Sequence, residues 1–151
     1  MDTAARPQGC TNDKLRQLMR RVTQLYDTEV GKTGLRTTQY SLLTAVCRLG
    51  PIRSVDLARE MKLDASTLSR NLKPLVAAGW LAMEPGPDAR SRAVVATDAG
   101  REKRQEAQRR WRVAQERVNA ELGLQRVLAL HALIDECTGL LAPPTQEDSD
   151  D

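Results

Sequence analysis

The stretch SVDLAREMKLDASTLSRNLKPLVAAG, residues 54–79, carries two helix start signals ten residues apart. Ser54 is the candidate N-cap of a first helix of about two turns, and Asp64 is the candidate N-cap of a second. Gly79 supplies the expected stop of the second helix. Two short helices joined by a turn of about three to four residues have the spacing of a helix-turn-helix, which is the central prediction for this chain.

The second of these helices has two chemically different sides. At about 100° per residue, its leucines gather on one side, which we expect to face the core. The opposite side, called the basic face below, holds small hydroxyl and basic side chains: Ser66, Thr67, Ser69, Arg70 and Lys73. Such side chains bond phosphates and base edges without holding a helix away from a groove. We therefore predict that these residues contact DNA, with a merely solvated face as the alternative.

The segment WLAMEPGPDARSRAVVATDAGR, residues 80–101, predicts a β-hairpin. Strand-like composition covers Trp80–Met83 and about Arg92–Ala96. The connection of about eight residues exceeds the roughly two to five that are usual in hairpins, which indicates a use beyond turning the chain. We expect a wing beside the basic helix, with Asp88 shaping the loop by pairing with an arginine. The candidate DNA contacts of the wing are Arg90, Ser91 and Arg92.

Helical periodicity flanks this region on both sides. The predicted helices cover about residues 13–30, 37–48, 98–121 and 124–141, and Thr97 is the candidate N-cap of the third. The last helix is more apolar than one small core requires, and the first is strongly amphipathic. We therefore predict a mainly α fold in which the N- and C-terminal helices form a dimerisation region.

The charge distribution suggests a negatively charged partner. The formal net charge is +3, and the carboxyl end holds four acids: Glu147, Asp148, Asp150 and Asp151. Without these four charges the rest of the chain carries about +7. A surplus of that size suggests a polyanionic partner without identifying it.

Cysteine usage and hydropathy indicate the compartment. Cys10, Cys47 and Cys137 are an odd number without paired spacing, which argues against a disulfide scaffold and fits a reducing cytosol. Charges break the apolar runs well before the ~20 residues needed to cross a bilayer, and no signal peptide is visible. We expect a cytoplasmic protein without a membrane partner. Its ends, about residues 1–11 and 143–151, lack periodicity and are expected to be mobile.

Three stretches together resemble the MarR family of bacterial transcription regulators over nearly the whole chain. GLRTTQYSLL is similar to the start of the family's second helix, and DASTLSRNLKPLVAAGWL to its recognition helix and strand entry. DARSRAVVATDAGR is similar to the family's Asp-x-Arg wing, which runs into Thr-x-x-Gly at the next helix. Arg36 departs from the family's usual threonine, so the helix cap is expected to shift to Thr37. Ala96 stands where a leucine is usual.

The resemblance implies a single MarR-type domain over residues 1–151. It implies a winged helix-turn-helix at about 37–97 and dimerisation helices at about 13–31 and 98–141. A homodimer of this kind binds a pseudopalindromic operator in double-stranded DNA, usually as a repressor, and commonly releases it when a small molecule or an oxidant arrives. The resemblance then assigns Arg90 to the minor groove and Arg92 to a phosphate or to Asp88.

The expected trigger is a small aromatic or anionic effector. Arg20, Tyr40 and Trp111 are the candidate pocket residues, although core or surface roles fit each of them equally well. Thiol-based redox sensing is the alternative, because Cys10 precedes the first helix and has basic residues nearby. No local motif fixes a partner for that thiol.

Two other classes of protein are disfavoured. His131 is the only histidine and lies in an apolar helix without a nucleophile or ligand motif, so neither an enzyme nor a metal or cofactor site is expected. A helical dimerisation or adaptor module without DNA binding would carry an acidic or apolar face where Ser66, Arg70 and Lys73 stand.

Overall fold

The computed structural model describes residues 6–88 and 90–142, which form six α-helices and three β-strands. The helices are α1 (Thr11–Val30), α2 (Thr37–Leu49), α3 (Ser54–Glu60), α4 (Ala65–Ala77), α5 (Asp98–Leu122) and α6 (Leu124–Leu140). The strands are β1 (Ile52–Arg53), β2 (Leu81–Pro85) and β3 (Arg92–Ala96), and a 3-10 turn spans Gly31–Thr33. The predicted fold class, mainly α with a small β element, is confirmed.

The predicted helices begin and end within two residues of the observed ones. Thr11 already lies in α1, so the helix begins inside the segment that we expected to be mobile. Of the other residues predicted to be mobile, 1–5 and 143–151 lie outside the described residues.

The sheet has a strand that the sequence does not predict. The strand order is β1-β3-β2, and both pairings are antiparallel. β1 places Ile52 opposite Val94 and Arg53 opposite Ala93. A strand of two residues is too short to show the alternation by which strands are predicted from sequence.

α2 begins with a cap supplied by another helix. The sequence predicts Thr37 as its N-cap, but Thr37 is the first helical residue and Arg36 holds the cap position. The Asp27 carboxylate of α1 accepts hydrogen bonds from the Thr37 amide at 3.0 Å and from the Thr37 hydroxyl at 2.6 Å. A distant carboxylate therefore satisfies an amide that a local side chain usually satisfies.

Contacts within the chain define two compact units, one up to Gln115 and one from Glu116. The first unit contains α1–α4, the sheet and the first part of α5. Its core draws large side chains from the end of α1, the segment before α2, α2, α3, α4 and the sheet. The most deeply buried are Val30, Leu35, Leu42, Leu43, Val46, Leu57, Leu68, Leu75, Leu81 and Val94. The helix-turn-helix and the hairpin therefore share one core.

Thr97 caps α5, as the sequence predicts. Its hydroxyl oxygen accepts a hydrogen bond from the Gly100 amide at 3.0 Å, and the hydroxyl donates to the Gly79 carbonyl at 2.6 Å. Position 100 has no room for a side chain, because a Cβ there would overlap the Trp80 carbonyl oxygen. The Thr-x-x-Gly spacing thus joins the end of α4 to the start of α5.

The second unit contains the end of α5 and all of α6. Gly123 separates the two helices at a φ of +81°, in the left-handed region that favours glycine. Val118 and Val127 are buried, but most of α6 is exposed despite its many leucines. No helix in the described part of the chain is long and apolar enough to cross a membrane.

Candidate nucleic-acid interface

The helix-turn-helix is formed by α3 and α4. Residues 61–64 connect them, with Lys62 at a φ of +53° and the Leu63 amide donating back to α3. The sequence predicts Ser54 as the N-cap of α3, but Ser54 is its first helical residue. Arg53 holds the cap position and makes no side-chain capping bond. The predicted spacing of the motif is confirmed, whereas this cap is wrong.

Asp64 caps α4, as predicted. Its carboxylate accepts hydrogen bonds from the Ser66 hydroxyl at 2.7 Å, the Thr67 amide at 2.7 Å and the Thr67 hydroxyl at 2.9 Å. These bonds, first from Ser66 and then from Thr67, lower the pKa of Asp64 to about 2. Arg70 Nη2 lies 3.4 Å from the Thr67 hydroxyl oxygen. The first turn of the basic face is therefore ordered by its own cap.

Asp64→Asn is expected to make the stability of the folded state depend less on pH in the acid range. A carboxylate with a lowered pKa stabilises the folded state fully above its ordinary value of 3.8 and loses this contribution as the pH falls toward about 2. Asparagine retains a capping oxygen but does not titrate. Between about pH 5 and about pH 2, the melting temperature of the variant should therefore fall less steeply than that of the parent.

The control for this measurement is Glu102→Gln, at an exposed position of α5. Its melting curve should follow the parent's. A curve for Asp64→Asn that runs parallel to the parent's would contradict the role assigned to the cap.

The basic face is exposed, and the core lies on the other side of α4. Ser66, Ser69, Arg70 and Lys73 are exposed, and Thr67 is half-buried. Leu68, Leu72 and Leu75 are buried. The two-sided pattern of the helix is thus confirmed, while the contact of these polar residues with DNA stays a prediction.

β2 and β3 form the predicted hairpin, in antiparallel register over five residue pairs. β2 extends to Pro85, so the connection, called the wing loop below, is residues 86–91 and shorter than predicted. All of the wing loop except Ala89 is described. The Gly86 amide donates to the Ser91 carbonyl at 2.8 Å and closes the loop.

Asp88 shapes the wing loop through backbone amides. Its carboxylate accepts hydrogen bonds from the Ser91 amide at 2.8 Å and from the Arg90 amide at 3.3 Å. These bonds, those of Ser91 first, lower the pKa of Asp88. The predicted pairing with an arginine is wrong in its partner: in the described structure neither Arg90 nor Arg92 forms an ion pair with Asp88. Both arginines are exposed.

An open apolar groove of about 670 Å³ lies between the start of α3, α4 and β2. Val55, Leu72 and Met83 contribute apolar walls, and Ser69 and Lys73 of the basic face also line it. Helical periodicity predicts that Val55 faces inward, but its side chain is 65% exposed. The sequence gives no signal of this groove, because its lining comes from three separate elements.

The candidate effector residues lie in different settings. Tyr40 is buried in the core, and Trp111 packs against the same core. The Trp111 ring centroid lies 6.2 Å from that of Tyr26. Arg20 is exposed on α1, in a shallow depression that it shares with Met19. Packing therefore accounts for the two aromatic residues, and Arg20 occupies a surface position.

The three cysteines are free thiols in different environments. Cys10 is exposed and holds the cap position of α1. Burial raises the pKa of the Cys47 thiol, against the opposing charge of Arg104. Cys137 is exposed on α6, as is His131. The structure therefore adds one observation to the redox hypothesis: the Cys10 thiol is exposed to solvent.

A charged cluster that the sequence analysis did not single out lies at the start of α3. Arg53 Nε donates to Asp56 Oδ2 at 2.8 Å, and Arg59 Nη1 lies 3.4 Å from Asp56 Oδ1. The spacing of three residues between opposite charges is a signal that could have indicated these pairs.

Known proteins share this arrangement. The profile of the MarR family matches residues 33–91, which contain α2, the helix-turn-helix, β2 and the wing loop. This part of the chain is therefore similar to the MarR family. The chain is 26% identical over 93 residues to YwoH of Bacillus subtilis (strain 168), an uncharacterized HTH-type transcriptional regulator. The match covers 62% of this chain and 68% of YwoH.

Several solved structures resemble this chain over most of their length. A probable transcriptional regulator from Pseudomonas aeruginosa is 27% identical with a TM-score of 0.78, over 87% of this chain and 99% of that one. The M. tuberculosis regulator MosR, solved in complex with DNA, is 28% identical with a TM-score of 0.67, over 85% and 98%. Family and fold point to a DNA-binding transcription regulator and not to an enzyme.

Proposed function

We propose that this protein is a MarR-type regulator, a cytoplasmic, homodimeric repressor that binds a pseudopalindromic operator and releases it when a small aromatic or anionic ligand binds. The observation that carries the proposal is the exposed basic face of α4, ordered by the Asp64 cap and accompanied by the wing in one compact unit. α4 enters the major groove, and the wing loop follows the neighbouring minor groove.

Two acids near these elements, Asp64 and Asp88, are hydrogen-bonded within their own segments. Asp64 accepts hydrogen bonds from the first turn of α4, and Asp88 accepts them from wing amides. Arg70, Lys73 and Arg90 remain exposed. Exposed cations beside acids that are hydrogen-bonded within their own segments favour a phosphate backbone as the partner. The DNA complex of MosR, at 28% identity, gives the proposal independent support.

A second copy of this chain is the partner that the terminal helices favour. On α1, Leu15 and Met19 are 55% and 62% exposed, and on α6, Leu128 and Leu133 are 55% and 57% exposed. Apolar surface of this extent is typical of an interaction site. A twofold dimer presents its two α4 helices to half-sites about one helical turn apart.

Arg70→Ala is expected to weaken operator binding by ~1 to 3 kcal/mol and to relax sequence preference, because a guanidinium can bond two acceptors of a guanine. Arg90→Ala should weaken binding to operator and scrambled DNA together and reduce the salt slope by about one unit, because a wing arginine acts through phosphate charge. Salt titrations of both variants on both duplexes separate the two effects.

The control for charge alone is Arg109→Ala, which removes an exposed arginine from α5. It should bind both duplexes as the parent does. If Arg70→Ala kept the full preference for operator, α4 would not be the element that recognises the bases. If Arg90→Ala behaved as the parent, the wing loop would be only a turn.

The apolar groove is the effector site that the geometry favours over a pocket of Arg20, Tyr40 and Trp111. An aromatic carboxylate would place its ring against apolar walls that include Met83 and its charge on Lys73. Because Lys73 also belongs to the basic face, such a ligand would compete with DNA.

Met83→Trp is expected to remove the ligand response by filling the groove. With benzoate as the probe, at about ten times its dissociation constant, the parent should lose about tenfold in operator affinity by simple competition. The variant should keep the affinity it has without benzoate. Gln105→Trp, at an exposed position of α5, is the control and should respond as the parent does. An undiminished response of Met83→Trp would exclude the groove as the effector site.

The redox alternative depends on Cys10, which is exposed at the start of α1. Peroxide-dependent release of operator by the parent, but not by Cys10→Ser, would favour it over a ligand trigger. If selection from a random library yielded no duplex that the parent binds, a helical module without DNA binding would be favoured.

A further inference from the structure

Arg53 belongs to both the sheet and the helix-turn-helix. It is the second residue of β1, where it lies opposite Ala93 of β3, and it holds the cap position of α3. The main chain at this position pairs with the wing hairpin on one side and leads into the first helix of the motif on the other.

Two arginines share the Asp56 carboxylate, and Arg53 is the more closely held. Arg53 Nε lies 2.8 Å from Asp56 Oδ2, whereas Arg59 Nη1 lies 3.4 Å from Asp56 Oδ1. The Arg53 side chain is 47% exposed and that of Arg59 is 77% exposed. The two arginines therefore form a natural pair of test and control.

Arg53 also lies beside the wing. Arg53 and Asp56 line a surface crevice together with Glu84 and Gly86, where β2 runs into the wing loop. Hydrogen bonds of Ser91 account first for the lowered pKa of Asp88, and the positive charge of Arg53 lowers it further. The described structure has no ion pair between Arg53 and Asp88, so this attraction acts over a longer distance.

We propose that Arg53 is a positioning residue for DNA binding, which fixes the wing loop relative to α3 by linking Asp56 to the acids of the wing. A guanidinium held through Nε keeps its terminal nitrogens for other acceptors. The part of this inference that concerns DNA rests on the proposed function, whereas the placement of the wing does not.

Placement of the wing matters because the hydrogen bonds of the loop are internal to it. Gly86 bonds Ser91, and Asp88 bonds Ser91, so none of these hydrogen bonds connects the loop to α3. Without Arg53 the loop separates from α3 more often, opens its own hydrogen bonds to solvent and presents Arg90 over a wider volume. Binding DNA then costs additional ordering entropy.

Amide hydrogen exchange of the free protein tests the placement. In Arg53→Ala, the Gly86 and Ser91 amides should exchange about 2- to 5-fold faster than in the parent, which matches the range of exposed ion pairs. Arg59→Ala should leave both amides unchanged, and α2 amides should be unchanged in both variants. Unchanged Gly86 and Ser91 amides in Arg53→Ala, or faster exchange that extends to α2, would overturn the proposal.

A double-mutant cycle with Arg90 tests the consequence for DNA, using a duplex selected from a random library by the parent. Arg53→Ala should weaken binding about 2- to 5-fold in the parent and have no further effect in the Arg90→Ala background. Arg59→Ala should bind as the parent does. Equal effects of Arg53→Ala in both backgrounds would overturn the proposal, because Arg53 would then act independently of the wing. If the parent selected no duplex, the proposed function would fail, and the exchange measurement would still decide the placement of the wing.

Discussion

Ile134→Glu is expected to convert the proposed dimer into monomers and to weaken operator binding by about 10²- to 10⁴-fold. Ile134 is 46% exposed on α6 of the single chain, with Leu133 at 57% and Leu140 at 77%. A second copy that covers these side chains would bury the new carboxylate without a partner. Monomers cannot occupy two half-sites at once, so the gain in affinity from linked binding is lost.

Light scattering at micromolar concentration measures the first effect, and titration of operator measures the second. Gln125→Glu is the control, because it adds the same charge at an exposed polar position of the same helix. It should stay dimeric. An Ile134→Glu variant that stayed dimeric would show that α6 does not form the interface.

Gly100→Ala is expected to lower the free energy of unfolding by about 3 kcal/mol, at the upper end of the usual cost of overpacking. A Cβ at this position would overlap the Trp80 carbonyl oxygen and lie 2.8 Å from the carbonyl carbon. Both atoms belong to the main chain, and the Thr97 amide donates to the same carbonyl at 3.1 Å. The obstacle therefore cannot rotate away as a side chain would.

Denaturant unfolding measures this change. Gly139→Ala is the control, because a Cβ at that helical position meets nothing within 4 Å. It should leave stability unchanged or raise it by up to about 1 kcal/mol, as alanine favours the helix. If Gly100→Ala were as stable as the control, the close approach of α5 to Trp80 would not limit residue 100.

Local signals were sufficient for most of the helices. The start of α4 follows from Asp64, whose carboxylate bonds the Thr67 amide three residues later. The start of α5 follows in the same way from Thr97 and the Gly100 amide. Caps of this kind involve residues within one turn, so a single stretch of sequence contains both partners.

The sequence predicted where the wing lies along the chain, but not which groups the Asp88 carboxylate bonds. The composition and length of the wing indicated a loop of functional use, and Asp88 was expected to shape it. A pattern of charges suggests an ion pair with an arginine, yet the carboxylate bonds the amides of Arg90 and Ser91. Amides have no sequence signature, because nearly every residue carries one.

Hydrophobic period, caps and turn residues were enough to establish the helix-turn-helix, the hairpin and the two-sided α4, because each depends on neighbours along the chain. Partners that are distant in sequence required the folded chain: β1 on β3, and the Asp27 carboxylate on Thr37 at 3.0 Å. The exposure of Val55 beside the groove also required the folded chain. Periodicity indicates which residues share a side of a helix, whereas only the packed elements determine whether another segment covers that side.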